Sequence, residues 1–348
     1  MLLDAALPVG SLRRVPEVAR LAERLGVGCL WASETQHDPF LPGPLVYEHT
    51  RRLRFGTAIA VAFARSPTVL AHVAWDLAEH SGGRFILGLG TQVRAHVERR
   101  FGMPWPDSAV AKLREQILAV RALWRCWQAG ERLSFRGRYH TLTLMSPFFN
   151  PGPIPSPKIP IYVAGVNPGL VRLAGEVADG FCVHPLHSPE YLRTVVLPAL
   201  EVGARRAGRS RRDVAISASV MIATNPQERE FLRSQVAFYA STPSYRPVLA
   251  VHGWEEVGAR LSALARAGRW SEMPKLVTDR MLEAFCVLAG PEEVPDALRA
   301  RYAGLVDRFT PYLPLVPGER QELWSVLARA FGGAARPDPE GADPQASP

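Results

Sequence analysis

No stretch of the 348-residue chain approaches the roughly 18–20 consecutive apolar residues that a bilayer-spanning helix requires. The opening Met1-Leu2-Leu3-Asp4 has neither a basic segment nor a long apolar one, so no secretory leader is expected and the expected compartment is the cytoplasm. Cysteine is scarce. Cys29, Cys126, Cys182 and Cys286 are scattered and form no Cys-x-x-Cys pair, which excludes a disulfide framework and leaves small buried thiols as the expectation. The nucleotide-binding glycine motifs are missing too. Gly88-Leu89-Gly90-Thr91 lacks the third glycine of a dinucleotide fingerprint, and no Gly-Lys-Ser/Thr follows to make a phosphate loop. There is no Gly-x-Ser-x-Gly elbow, which argues against an α/β-hydrolase. Glu34, His37 and Asp38 are clustered, but their spacing matches no metal signature, so no metal is expected.

What is present reads as a packed soluble enzyme, with 47% hydrophobic and 21% charged residues. The formal charge of +8, from 41 basic and 33 acidic residues, favours an anionic partner. Basic residues are not interleaved with aromatics along one face, so no nucleic-acid surface is expected. The organising signal is a strand followed at once by a capped helix. Leu53–Val61 leads to Ser66-Pro67, Ile159–Ala164 to Asn167-Pro168, Gly180–His184 to Ser188-Pro189, and Val214–Thr224 to Asn225-Pro226. At each junction a Ser or Asn oxygen can accept an orphan backbone N–H, while proline at the first helical position gives up no hydrogen bond. Glu228 adds the expectation of a capping box.

Leu2–Leu7, Cys29–Ala32 and Phe85–Gly90 supply further strands, and Pro16–Leu25 a helix ending at Gly26. Leu113, Ile117, Val120, Trp124 and Trp127 fall on one helical face and are read as core. Alternating strands and helices imply a parallel sheet, and about eight such units without a linker imply an α/β fold, a (β/α)8 TIM barrel spanning residues 1–331. Two insertions interrupt it: a hairpin and Pro-rich loop at 131–158, and a turn-rich segment at 241–280. A structureless tail is expected from 332 to 348.

In such a barrel the residues just after each strand carry the chemistry. These places hold four of the nine histidines: His37, His96, His184 and His187. Three junctions also end at a helix N-terminus, which favours a phosphate, and Ala164-Gly165-Val166 is the best of them because Gly165 leaves the backbone open.

Taken together, Leu53–Leu70, Ser81–Val93, Trp31–Phe40, Val163–Gly165 and Ala178–Phe181 resemble the luciferase-like monooxygenase superfamily. The loops Glu34–Phe40 and Thr91–His96 resemble its branch that uses the deazaflavin coenzyme F-420. The resemblance implies an oxidoreductase that transfers a hydride between F-420 and a small organic substrate, and a homodimer. It implies cofactor contacts at Thr35, Thr57, Ala58, Ile59, Gly90, Thr91, Gln92, Val93, Arg94, His96, Ala164, Gly165, Val166 and His184, with a non-proline cis peptide at Ala58–Ile59. The Arg94, Arg99 and Arg100 cluster suits the polyanionic tail of F-420. Glu34 and His37 are the candidates for proton transfer. Two departures mark the chain: Glu34-Thr35 stands where many deazaflavin enzymes have Asp-His, and Gln92 where glycine is usual. Two other readings stay open, an FMN-dependent monooxygenase on the same fold and a non-catalytic protein that binds a cofactor or nucleic acid.

Overall fold

A computed structural model describes residues 1–333. The (β/α)8 barrel is borne out. Its parallel strands follow one another around the sheet as Cys29–Ala32, Arg54–Thr57, Phe85–Gly90, Ile161–Gly165, Gly180–Val183, Ala215–Ala223 and Arg308–Pro311. The first strand closes the ring in two pieces. Leu2–Leu3 pairs with the last strand, Ala5–Ala6 pairs with the second, and Asp4 is the joint between them.

Asp4 is fully buried inside the barrel. Its carboxylate accepts from Arg308 Nε (2.6 Å) and Nη2 (2.8 Å) and from Trp31 Nε1 (2.9 Å). Trp31 lies flat on Gly56, where a Cβ would come within 2.5 Å of the indole. Tyr162 covers Gly180 at the same distance. These rings fill the interior with Cys29 and Ile86, so the barrel is a packed core rather than a pore. All four cysteines are free, and burial pushes the Cys182 thiol up to about 12, which keeps it protonated and inert.

Several local expectations need correction. Ser66, Ser188 and Asn225 cap their helices through their side chains, but Asn167 does not. Glu228 does not close a capping box: its carboxylate accepts from the backbone and hydroxyl of Thr224, one residue before the cap. The strand read over Leu53–Val61 breaks into Arg54–Thr57 and Ala60–Val61, with the cis peptide Ala58–Ile59 between them. The 131–158 segment holds the hairpin Phe135–Arg136 with Thr141–Leu142. The 241–280 segment is helical rather than turn-rich. It contains Arg246–Ala250 and Glu255–Arg266, a long 3-10 stretch Trp270–Leu276, and the start of Asp279–Phe285. The five residues of the aromatic stripe are all buried. Beyond Gly333 the expected tail lies outside the described residues.

Because Asp4 and Arg308 are both buried, removing one leaves the other charged and unpaired. Arg308→Met is expected to lower stability by about 3–5 kcal/mol, measured by urea unfolding. A loss under ~1 kcal/mol would show that the pair does not hold the seam.

Candidate active site

The carboxyl ends of the strands form the mouth of the barrel, and the second to fourth strands build one side of it. Thr57 ends the third strand, fully buried. Its hydroxyl donates to the Gly88 carbonyl (2.7 Å) and accepts from the Gly88 N–H (2.9 Å). A side chain at Gly88 has no room, because its Cβ would stand 1.8 Å from the Thr57 carbonyl oxygen. At Gly90 a Cβ would meet Ile59 at 2.8 Å. The two strand glycines therefore let the Thr57–Ile59 bulge nest against the fourth strand. They are steric vacancies rather than a phosphate-binding loop.

Glu34 ties the next loop to this bulge. Its N–H donates to the Ile59 carbonyl (3.2 Å), and its carboxylate accepts from Val61 N (2.6 Å) and Arg65 Nη1 (2.7 Å). Arg65 also reaches Asp38 (3.0 Å) and lies over the Phe40 ring. The Asp38 carboxylate turns the loop by accepting from Phe40 N (2.8 Å). Arg100 donates to the Thr35 carbonyl, joining this loop to the one after the fourth strand. Of the two candidates for proton transfer, Glu34 is thus a buried carboxylate held at both ends, whereas His37 is exposed and makes no hydrogen bond among the described residues. Arg65, which sequence reasoning passed over, is the partner that fixes Glu34.

After the fourth strand, Gly90 and Thr91 are buried and Gln92 takes φ 59°, the left-handed region. That conformation explains why glycine is usual at this position. Gln92 Oε1 accepts from Val93 N (3.0 Å). Arg94 and His96 stand on an exposed helix, Arg94–Arg99, where Arg94 pairs with Glu98 (2.9 Å). They do not join the inner ring of candidates. Ala164, Gly165 and Val166 do, at the end of the fifth strand, yet Gly165 is small for a different reason from the one expected. A Cβ there would press on Leu170 at 2.5 Å. The helix Pro168–Val177 begins beside it without a side-chain cap; the Leu170 N–H donates to the Asn167 carbonyl (3.1 Å), which leaves the Gly169 N–H without an acceptor among the described residues.

His184 and His187 follow the sixth strand. His187 is buried; its Nδ1 donates to the His184 carbonyl (2.8 Å), and its Nε2 is sealed without a partner. Burial pushes His187 down to about 4. His184 packs against Tyr239 and Tyr245, residues that sequence reasoning did not select. Of two surface clefts, one is lined by Pro168, Arg172 and Arg206 and so begins at the start of the helix Pro168–Val177, and the other is lined by Arg121 and Lys158. Among the described residues no group of His, Cys, Asp and Glu is placed to hold a metal ion, and no helix is long and apolar enough to cross a membrane.

The bulge after the third strand and the helix start after the fifth both stand at the carboxyl end of a parallel (β/α)8 barrel, which is the class of the fold. The family model described as luciferase-like monooxygenase matches residues 3–308, and the chain belongs to that family. An uncharacterized protein of Mycobacterium tuberculosis is 45% identical over 94% of this chain and 97% of its own length. A 5,10-methylenetetrahydromethanopterin reductase of Methanolobus tindarius is 26% identical over 86% of this chain and 89% of its own. An F420-dependent glucose-6-phosphate dehydrogenase of Microbacterium testaceum is 29% identical over 78% and 75%. The solved coenzyme F420 dependent tetrahydromethanopterin reductase from Methanopyrus kandleri shares the fold, with a TM-score of 0.77, 21% identity and coverage of 94% and 97%.

Two outcomes are expected. Gly88→Ala forces the bulge off the fourth strand, so thermal unfolding should show a loss of about 1–3 kcal/mol; an unchanged melting temperature would refute the nesting. For His187, the unfolded chain gains a proton below about pH 6.5 that the folded chain refuses until about pH 4. Its contribution is fully present above pH 6.5. It then falls by up to about 1.4 kcal/mol per pH unit on acidification. Unfolding free energies at pH 7, 6 and 5 should drop more steeply for the native chain than for His187→Gln, and parallel curves would contradict this.

Proposed function

We propose that the chain is a deazaflavin-dependent oxidoreductase that exchanges a hydride between coenzyme F-420 and a small organic substrate. One observation carries the reading: the Thr57–Ile59 bulge, locked by Gly88, Gly90 and the Glu34–Arg65 pair, projects half-buried Ala58 and Ile59 into the mouth. That shelf suits one face of a flat ring. The uncapped start of the Pro168–Val177 helix suits a phosphodiester. The names of the relatives at 26% and 29% identity add support for a reductase or dehydrogenase, and for F-420 over FMN.

When bound, F-420 supplies a carbon centre that gives or takes a hydride. The chain's own part is placement. Thr57 and Gly88 hold the shelf rigid, Glu34 and Arg65 prevent the bulge from relaxing, and Val166 and Asn167 present backbone donors at the helix start. Glu34 acts as an anchor for the shelf, because its carboxylate is already committed to an arginine and an amide.

Purified protein titrated separately with F-420 and FMN, followed by ring fluorescence, tests the assignment. Saturable F-420 binding at least tenfold tighter than that of FMN is expected. Tight FMN binding without F-420 binding would overturn it in favour of a flavin monooxygenase.

A further inference from the structure

The other side of the mouth is built differently. His184 follows directly on the sixth strand and Tyr312 on the eighth. The helix Pro226–Ala240 places Tyr239 between them, and the turn Pro243–Tyr245 adds Tyr245. The His184 ring meets Tyr239 edge-on, with centroids 4.8 Å apart, and meets Tyr245 at 4.3 Å. Tyr239 meets Tyr312 edge-on at 6.2 Å.

The hydrogen positions follow from the partners. The Tyr312 hydroxyl donates to Gln235 Oε1 (2.8 Å), so in the 2.8 Å contact between the phenols Tyr239 is the donor. The Leu186 N–H donates to His184 Nδ1 (3.1 Å), so the ring proton of the neutral imidazole sits on Nε2. That N–H has no protein partner among the described residues, and it is not sealed away as His187 Nε2 is. Burial, with His187 adding to it, holds His184 down to about 3, so the ring is uncharged at neutral pH. The four side chains therefore offer aromatic faces and edges, one free N–H donor and the acceptor lone pairs of Tyr239, and none of the four is a cation.

We propose that His184, Tyr239, Tyr245 and Tyr312 form the substrate wall of the mouth, and that the wall takes an uncharged, ring-bearing alcohol or carbonyl compound whose oxygen accepts from His184 Nε2–H. The inference deepens the hydride-transfer reading and rests on it for the word substrate. An aromatic ring gains from edge-to-face contact with three phenols. A free N–H in a half-buried site favours a ligand that brings an acceptor. A phosphate or carboxylate substrate would find no guanidinium or ammonium group among these four side chains, and desolvating an unpaired anion is costly. His184 acts as a donor that polarises and orients; a neutral imidazole is not the source of a transferred proton here.

The test uses full-length protein labelled with 15N-histidine, with and without F-420. The His184 signals are assigned by their loss in His184→Leu. Acetophenone and 1-phenylethanol are each titrated, with glucose 6-phosphate as the anionic comparison. Both neutral probes should shift His184 Nε2 saturably, and glucose 6-phosphate should leave it unmoved. His184→Leu should weaken acetophenone binding at least tenfold, and His184→Gln, which keeps an N–H donor, should recover most of it. F-420 affinity is measured in both variants, and a loss as large as that for acetophenone would place His184 against the cofactor and overturn the proposal. No saturable shift with either neutral probe, or a shift with the sugar phosphate, overturns the proposal. Failure of the hydride-transfer reading has its own signature: the probes bind the wall, but F-420 fluorescence does not respond to the protein.

Discussion

The barrel depends on one ion pair at its seam. The first strand contributes only two dipeptides of ladder, one to each neighbour, and Asp4 is the residue between them. Four paired residues hold a ring shut weakly. The Asp4 carboxylate compensates by taking both nitrogens of the Arg308 fork, while its backbone N–H donates to Phe309 of the same last strand (2.8 Å). Trp31 brings the second strand onto the same carboxylate. First, second and last strands thus converge on one buried anion. Its desolvation is offset by three charge-directed hydrogen bonds that leave the guanidinium stacked near the indole.

The mouth inherits its geometry from this closure through a series of steric choices. Trp31 lies flat because Gly56 faces it. One residue later Thr57 turns its hydroxyl onto Gly88, and the bulge that follows rests on Gly90. The shelf is therefore specified from below by glycines and from outside by Glu34 and Arg65. Neither contact would tolerate small adjustments: a Cβ at Gly88 meets backbone, and a neutral Glu34 would leave Arg65 with only the exposed Asp38. The Ser81–Arg84 signature has a similar structural meaning. Gly82 and Gly83 adopt positive φ, and Arg84 donates to Thr50 and Leu53 carbonyls, tying the end of the helix Pro67–Ser81 back to the start of the third strand.

Where the sequence was legible, the deciding physics was local. A strand read from Phe85–Gly90 has those bounds in the structure, and three of four Ser/Asn-Pro junctions are capped as their chemistry dictates. The fourth shows the limit: Asn167 has the same residues around it, but its side chain stays exposed and unbonded at the mouth. The 241–280 segment was misread because Pro247, Gly253 and Gly268 suggest turns. Pro247 instead sits in the first turn of a helix, and the two glycines stand between helices at positive φ. Long-range partners left no trace. Arg65 lies 31 residues from Glu34, and Tyr312 lies 128 residues from His184, so no spacing rule could bring them together.

The two sides of the mouth follow different design rules, and this bears on how such a barrel acquires a substrate. The side from the second to the fifth strand is rigid, built from glycines, an ion pair and an open helix start. Each of those features constrains the backbone, so few substitutions would preserve it. The side from the sixth to the eighth strand is a wall of side chains, with Tyr239 from the helix Pro226–Ala240 and Tyr245 from the turn Pro243–Tyr245 that opens the 241–280 insertion. His252 in that insertion donates to or accepts from Ser188 (2.8 Å), so the inserted helices are anchored beside His184. A wall made of side chains can change its chemistry without disturbing the shelf opposite, because the contacts that fix the shelf at Gly88, Gly90 and Glu34 involve none of the wall's rings.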